Sequence, residues 1–298
     1  MGSVSTPALA VAVADAGGVG TITAMGLTAP QIDGMLADMA ASTDGALAAN
    51  FLTEQIDREA VAAAAGRVRI IDFFWADPDA ALVEIVHRNS ALACWQVGSL
   101  DEARAAADAG CDVVVVQGTE AGGHVRGHSP LLPLLESALA RLDLPGLAAG
   151  GIGDGRGFAV VMAAGAAGAR VGTRFVATSE SGAHPVYKQA LVDAIAGSTE
   201  ITDAFSVCPL CATVPRARVL RSCIHSLRDV PGDDVGETTM GDQRVTLAKG
   251  HGLPPGAAAT GHIEAMAMYA GESVSGIEAI EPVAHIMSSW CAAIETPR

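Results

Sequence analysis

Short, almost unbroken apolar runs alternate with longer alanine-rich stretches from the start of the chain to about residue 196. The runs cover residues 19–23, 46–51, 68–74, 92–97, 113–117, 146–149 and 169–175. Continuous rather than alternating hydrophobicity predicts strands buried on both faces, as in a parallel sheet. The stretches between them carry helix punctuation. Thr6 before Pro7 reads as an N-cap with proline in the first turn, and Gly17 ends a helix over residues 5–16. Ser99 with Glu102 reads as a capping box, and Gly110 as the stop of its helix. The small residues of 157–169 predict a helix made for close packing.

Repeated β/α units leave two architectures, an open doubly wound sheet or a closed eight-stranded barrel. The chain has seven runs and opens on a helix, with only residues 1–4 before it. The expectation is an α/β fold, a (β/α)8 TIM barrel lacking most of its first strand. Either residues 1–4 are its stub or the natural start lies upstream. The barrel body is assigned to residues 1–197. Residues 198–261 are turn-rich and charged and read as an insertion or lid, with 228–242 a mobile surface loop. Residues 262–298 return to the body, helical at 263–270 and 282–295.

Composition narrows the partners. The chain has 298 residues and is 50% hydrophobic but 4% aromatic. No apolar run reaches the ~20 residues needed to span a bilayer, and no basic segment precedes the first apolar stretch as in a signal peptide. A formal charge of −15 argues against nucleic acid and anionic membranes. The six irregularly spaced cysteines fit reduced thiols and a cytoplasmic setting. Cys208, Cys211, Cys223 and His225 could suggest zinc, but Cys-x-His does not easily give two ligands from one face, so no metal is expected. The oligomeric state stays open, a homodimer included.

Three strand ends run into glycine: "QGTEAGGH" at 117–124, "AAGGIGDGRG" at 148–157 and "ARVGTRFVATSES" at 169–181. Ligands bind at this edge of β/α folds, and the turns after the last two strands are the usual phosphate site. Bare backbone at Gly150, Gly151, Gly172 and Thr173 could donate to an anion. "GIGDGRG" lacks the spacing of a dinucleotide fingerprint. His124, beside Gly122 and Gly123, is the candidate base, since an imidazole titrates near neutrality. Gln117, Asn50 and Gln96 also end strands. Their amides suit the mixed donor and acceptor edge of a flavin, or equally a bond to a neighbouring loop. His128 reads as loop surface and His184 as a helix cap before Pro185.

With these motifs the chain resembles the nitronate monooxygenase family, formerly the 2-nitropropane dioxygenases. The resemblance rests on "QGTEAGGHVRG", "LAAGGIGDGRG" and "GARVGTRFVATSESGAHPVYK", supported by "AANFL", "WQVGSLDEARAAADAGCD" and "MAMYAGESVSGI". It implies a barrel holding non-covalent FMN, with His124 as catalytic base and Asn50, Gln117, Gly122, Gly123, Gly150, Gly151, Gly172 and Thr173 as cofactor contacts. It implies oxidation of an alkyl nitronate by O2 to a carbonyl compound and nitrite. Family members open with a strand ending in Pro-Met-(Ala or Gly)-Gly. Met1-Gly2-Ser3 aligns with the end of that motif and is expected at the flavin edge. Two alternatives remain from the sequence. One is an NAD(P)H-dependent flavin reductase of the quinone or enoyl-ACP type on the same scaffold, and the other an inactive FMN-binding paralogue.

Overall fold

A computed structural model describes residues 4–52, 56–207, 215–240 and 243–295. In chain order the elements are α1 (Pro7–Asp15), β1 (Val19–Thr23), α2 (Ala29–Ala40), β2 (Ala46–Leu52), α3 (Arg58–Ala65), β3 (Ile70–Phe74), α4 (Ala80–Arg88), β4 (Leu92–Val97), α5 (Leu100–Asp108), β5 (Val113–Gln117), β6 (Gly123–His124), α6 (Leu131–Leu139), β7 (Gly146–Ala149), α7 (Gly155–Ala163), β8 (Gly168–Arg170), α8 (Thr173–Val176), α9 (Pro185–Val192), β9 (Thr199–Thr202), β10 (Ala217–Leu220), α10 (Arg221–Asp229), β11 (Asp234–Met240), β12 (Gln243–Ala248), β13 (Thr260–Gly261) and α11 (Val283–Glu295). Among the described residues no helix is long and apolar enough to cross a membrane.

Seven parallel strands pair in the order β1-β2-β3-β4-β5-β7-β8 and curl into a barrel open along one seam, between β8 and β1. The buried runs have a physical reason. Their outer residues, such as Phe73, Trp95, Val114 and Val116, pack into the main core with the surrounding helices. Cys94, Val115 and Ala149 form a smaller cluster of their own. Phe73 and Trp95 meet at a 4.8 Å ring separation, and the Trp95 indole N–H donates to the Ala76 carbonyl at 3.1 Å. In β3, β4 and β5 both faces are therefore almost wholly buried, and little polar alternation is left to read.

The helix punctuation holds. Thr6 caps α1 by accepting from the Leu9 N–H at 3.1 Å, and Ser99 accepts from Glu102 N at 3.2 Å. The Glu102 carboxylate, however, accepts from Gly98 rather than Ser99. Residues 4–6 bridge the mouth of the seam. Ser5 Oγ donates to Thr21 O at the β1 side, while Thr6 Oγ1 donates to Glu180 O and Gly182 N donates to Val4 O at the β8 side. Residues 1–3 lie outside the described residues, so the expected stub and its place at the flavin edge are not described.

Four expectations are corrected. The strand expected at 169–175 is only Gly168–Arg170, because Gly172 breaks it and Thr173–Val176 turn into a short helix. The helix expected at 157–169 stops at Ala163, where Gly165 takes φ +96° and the chain turns into β8. The loop expected at 228–242 contains β11, which forms a hairpin with β12. Backbone pairing with β12 satisfies one edge of β11 while β13 covers the other. The helix expected at 263–270 is one 3₁₀ turn at Ile263–Ala265, after which the backbone extends to pair with β10.

Residues beyond the barrel build a second core, with Phe205, Leu220, Leu247 and Met266 packed against Tyr187 and Leu191 of α9. Antiparallel β9 and β10 join β6 in a separate small sheet, so the segment read as a lid is tied to the His124 strand by backbone hydrogen bonds.

Burial pushes the Cys111 and Cys223 thiols up to about 12, from an ordinary 9.0. The folded chain resists ionisation that the unfolded chain undergoes near pH 9. Their contribution to stability is complete below that pH and is lost as pH rises toward 12. The urea midpoint is expected to fall from about pH 9 upward, and to fall less steeply in the Cys111→Ala/Cys223→Ala variant.

Candidate active site

The strand ends converge because the main chains come unusually close. A Cβ on Gly122 would lie 2.5 Å from the Gly271 nitrogen and 2.9 Å from Thr173 Oγ1. A Cβ on Gly150 would lie 2.9 Å from the Ala121 nitrogen, and one on Gly151 3.2 Å from Glu120 Cβ. Gly150 and Gly151 also take φ of +117° and +71°, which L side chains rarely adopt. The turns after β5, β7 and β8 thus meet as bare backbone. Thr173 Oγ1 accepts from the Gly271 N–H at 2.9 Å, tying the β8 turn to the chain that follows Tyr269. Gly172 sits at the start of α8. Glu120 braces the same group by accepting from the Leu131 N–H at the start of α6, at 3.0 Å, where a carboxylate is favoured by the helix dipole.

His124 lies one residue past Gly123, whose φ is +80°. Its ring is half-buried between Trp75, edge-on at 4.7 Å, and Tyr269, tilted at 5.6 Å. Gln117 fixes this stretch of backbone. Its Nε2 donates to His124 O at 2.9 Å, and its Oε1 accepts from Arg126 N at 3.1 Å. The amide thus bonds the neighbouring loop at both ends. Arg126 continues the frame, pairing with Glu102 at 2.7 Å and Asp77 at 2.9 Å, and donating to the Trp75 carbonyl. That contact holds Trp75 at φ +102°, a strained conformation for a non-glycine residue.

Asn50 points its amide at Asp72 of β3, whose carboxylate also pairs with Arg170 of β8 across the barrel interior. Asp72 is 3% exposed. Burial, with Asp72 beside it, pushes the Cys94 thiol well up, so that thiol is not a nucleophile. Gln96 is buried at the end of β4. As expected, His128 is exposed, while His184 caps α9 by accepting from Val186 N at 3.2 Å. Among the described residues no cluster of histidine, cysteine and carboxylate could hold a metal. Cys208 and Cys211 lie outside the described residues. Cys223 is buried and His225 exposed on the same helix.

Trp75, Tyr269, Asp72, Arg170 and Arg126 were not singled out by the sequence reading. Two signals were available. Asp72 and Arg170 are opposite charges inside otherwise apolar strands, and Trp75 directly follows a buried strand in a chain with three tryptophans.

Seven parallel strands wrapped by helices, with bare turns and a framed imidazole at their C-terminal ends, define a β/α-barrel enzyme. The chain belongs to the nitronate monooxygenase family, an oxidoreductase family, whose sequence profile matches residues 46–293. Nitroalkane oxidase from Streptomyces ansochromogenes superposes with a TM-score of 0.76 at 27% identity, over 99% of this chain and 93% of that one. FabK from Thermotoga maritima gives 0.78 at 27% identity, over 99% and 90%. A (3aS,4S,5R,7aS)-5-hydroxy-7a-methyl-1-oxo-octahydro-1H-indene-4-carboxyl-CoA dehydrogenase from Mycobacterium tuberculosis is 33% identical over 68% of this chain and 58% of its own length. The corresponding Rhodococcus jostii enzyme is matched over 51% of its length, so the chain spans about half of such relatives.

Replacing Gln117 by Leu leaves the His124 carbonyl and the Arg126 N–H without their partner. The expected loss is about 1–3 kcal/mol of unfolding free energy, measured by urea denaturation.

Proposed function

We propose that this chain binds FMN across the strand ends and oxidises alkyl nitronates with O2 to a carbonyl compound and nitrite. The observation that carries the reading is His124, framed by Gln117, Trp75 and Tyr269, beside turns too tight for side chains. Family membership supports flavin-dependent nitronate chemistry. Bound FMN would supply the electron chemistry.

The residues present fit such a group. Gly150, Gly151, Gly172 and Thr173 would hold its phosphate through backbone N–H groups and the Thr173 hydroxyl, with open space beside Gly123 for a planar ring, while Gly122 is glycine because the Gly271 main chain packs against it. Gln117 serves by positioning His124. A neutral imidazole there takes a proton from the α-carbon of a nitroalkane, or hydrogen-bonds the nitronate oxygens. The Trp75 and Tyr269 rings exclude water around it. Likeness to FabK and to a CoA-ester dehydrogenase favours a second reading, an NAD(P)H-dependent reductase on the same site.

Anaerobic mixing separates the two. A nitronate alone is expected to bleach the FMN-loaded protein, with no bleaching by NADH or NADPH; the reverse pattern identifies the reductase. His124→Ala is expected to lower kcat/KM for the nitronate by ~10²–10⁴ while FMN stays bound.

A further inference from the structure

Trp75 stands where the backbone asks for glycine. Its φ is +102°, a region that bulky side chains avoid and glycine enters freely. Its indole N–H is buried with no acceptor among the described residues, a second cost in the same residue. A glycine at this position would remove both. Backbone strain persists only where the surroundings impose it, and here one side chain does so. Arg126 donates to the Trp75 carbonyl, while Glu102 at 2.7 Å and Asp77 at 2.9 Å hold the rest of its fork. Arg126 follows His124 by two residues, so the clamp and the imidazole ride on one loop.

The reason for an indole lies in its contacts. Trp75 is 4% exposed and stands edge-on to the Phe74 ring at 5.0 Å and to the His124 ring at 4.7 Å. The second ring against the imidazole, Tyr269, is itself fixed. Its hydroxyl donates to Gly252 O at 2.6 Å, and the Tyr187 hydroxyl donates to its carbonyl. Gln117 sets where the His124 main chain lies, but not which way the ring turns. Two immobile neighbouring rings do restrict that turn. Resting on the reading that His124 meets the substrate, we propose that Trp75 is a positioning residue. Its indole, held on a strained backbone by Arg126, fixes the imidazole in the orientation from which it acts, and Arg126 acts through Trp75.

Trp75→Gly supplies the residue the backbone favours and deletes only the ring. In the FMN-loaded variant kcat/KM for a nitronate is expected to fall about 10²-fold, with FMN affinity within about threefold of wild type. Trp75→Phe, which keeps an aromatic edge, is expected to recover most of the loss, and Trp75→Leu, which keeps only bulk, little of it. Equal recovery by both makes the indole simple filling and overturns the proposal. Arg126→Met is expected to lower kcat/KM about tenfold or more when Trp75 is present and less than about twofold in Trp75→Gly, because a clamp with nothing to hold has no effect. Equal losses in the two backgrounds overturn the assigned route. NMR of the ring-labelled histidines in the wild type decides the matter even if the variants do not fold. One set of His124 ring signals, displaced by the neighbouring indole, is expected; signals at the positions of exposed histidines, or averaged between orientations, overturn the proposal. That measurement needs no turnover, so failure of the wild type to oxidise a nitronate overturns the functional reading beneath it separately.

Discussion

Everything at the candidate site depends on how closely three loops approach one another. The turns after β5, β7 and β8, with the chain from Ala270 to Gly271, are packed backbone against backbone, and a single methyl group at Gly122 would collide with the main chain at 2.5 Å. This close approach does two things together. It removes side chains from the strand ends, leaving backbone as the lining, and it locks the loops so that their placement is inherited from the sheet. A strand end that is merely short of side chains would be floppy. Here the bare backbone is rigid because each loop is the packing surface of the next.

His124 shows how a residue off the main sheet still gains that rigidity. It belongs to β6, two residues long, which no hydrophobic face could anchor. Its position is set instead by the Gln117 amide from β5, by backbone pairing with Ala217 of β10, and by aromatic rings on two sides. The segment after residue 197 is therefore part of the frame around the imidazole. Arg126 joins Glu102 at the start of α5 to the backbone of Trp75, so the turns after β3 and β5 form one unit. Burial of that guanidinium is tolerable because two carboxylates and a carbonyl meet its fork.

Much of the barrel was legible because its strands are buried on both sides, and such strands have no disguise: a compact apolar run, a turn and a capped helix. Asn50, Gln117 and the glycine turns were legible for a related reason, since polar or bare residues terminate apolar runs. What was not legible depends on partners distant in sequence. The threonine-rich β11 is a strand only because β12 and β13 flank it; alone, its charges and glycines read as loop. The end of β8 is set by Gly172 and the short helix behind it, whereas the apolar residues on either side suggest continuation. For Gln117, residue type allowed a ring contact or a loop bond, and only the position of residues 124 and 126 shows that the loop bonds form. Trp75 owes its conformation to Arg126, fifty-one positions away.

The open seam sharpens the meaning of the Asp72–Arg170 pair. β8 and β1 are edge strands, and β8 is three residues long, so little backbone pairing holds this side of the sheet in its curl. Other links span it: α11 packed against both α1 and α7, residues 4–6 bonded to both sides at the mouth, and Arg170 reaching from β8 to β3 through the interior. The last link places a desolvated charge pair where apolar side chains could have filled the space, and such substitutions are often neutral or stabilising. Stability alone is thus a weak reason for an ion pair there. Direction is a better one: an ion pair fixes where its donors and acceptors point, and here it sets the Asn50 amide and the Arg170 fork against one carboxylate. The pair thus holds β8 against β3 with a geometry that apolar packing would not specify.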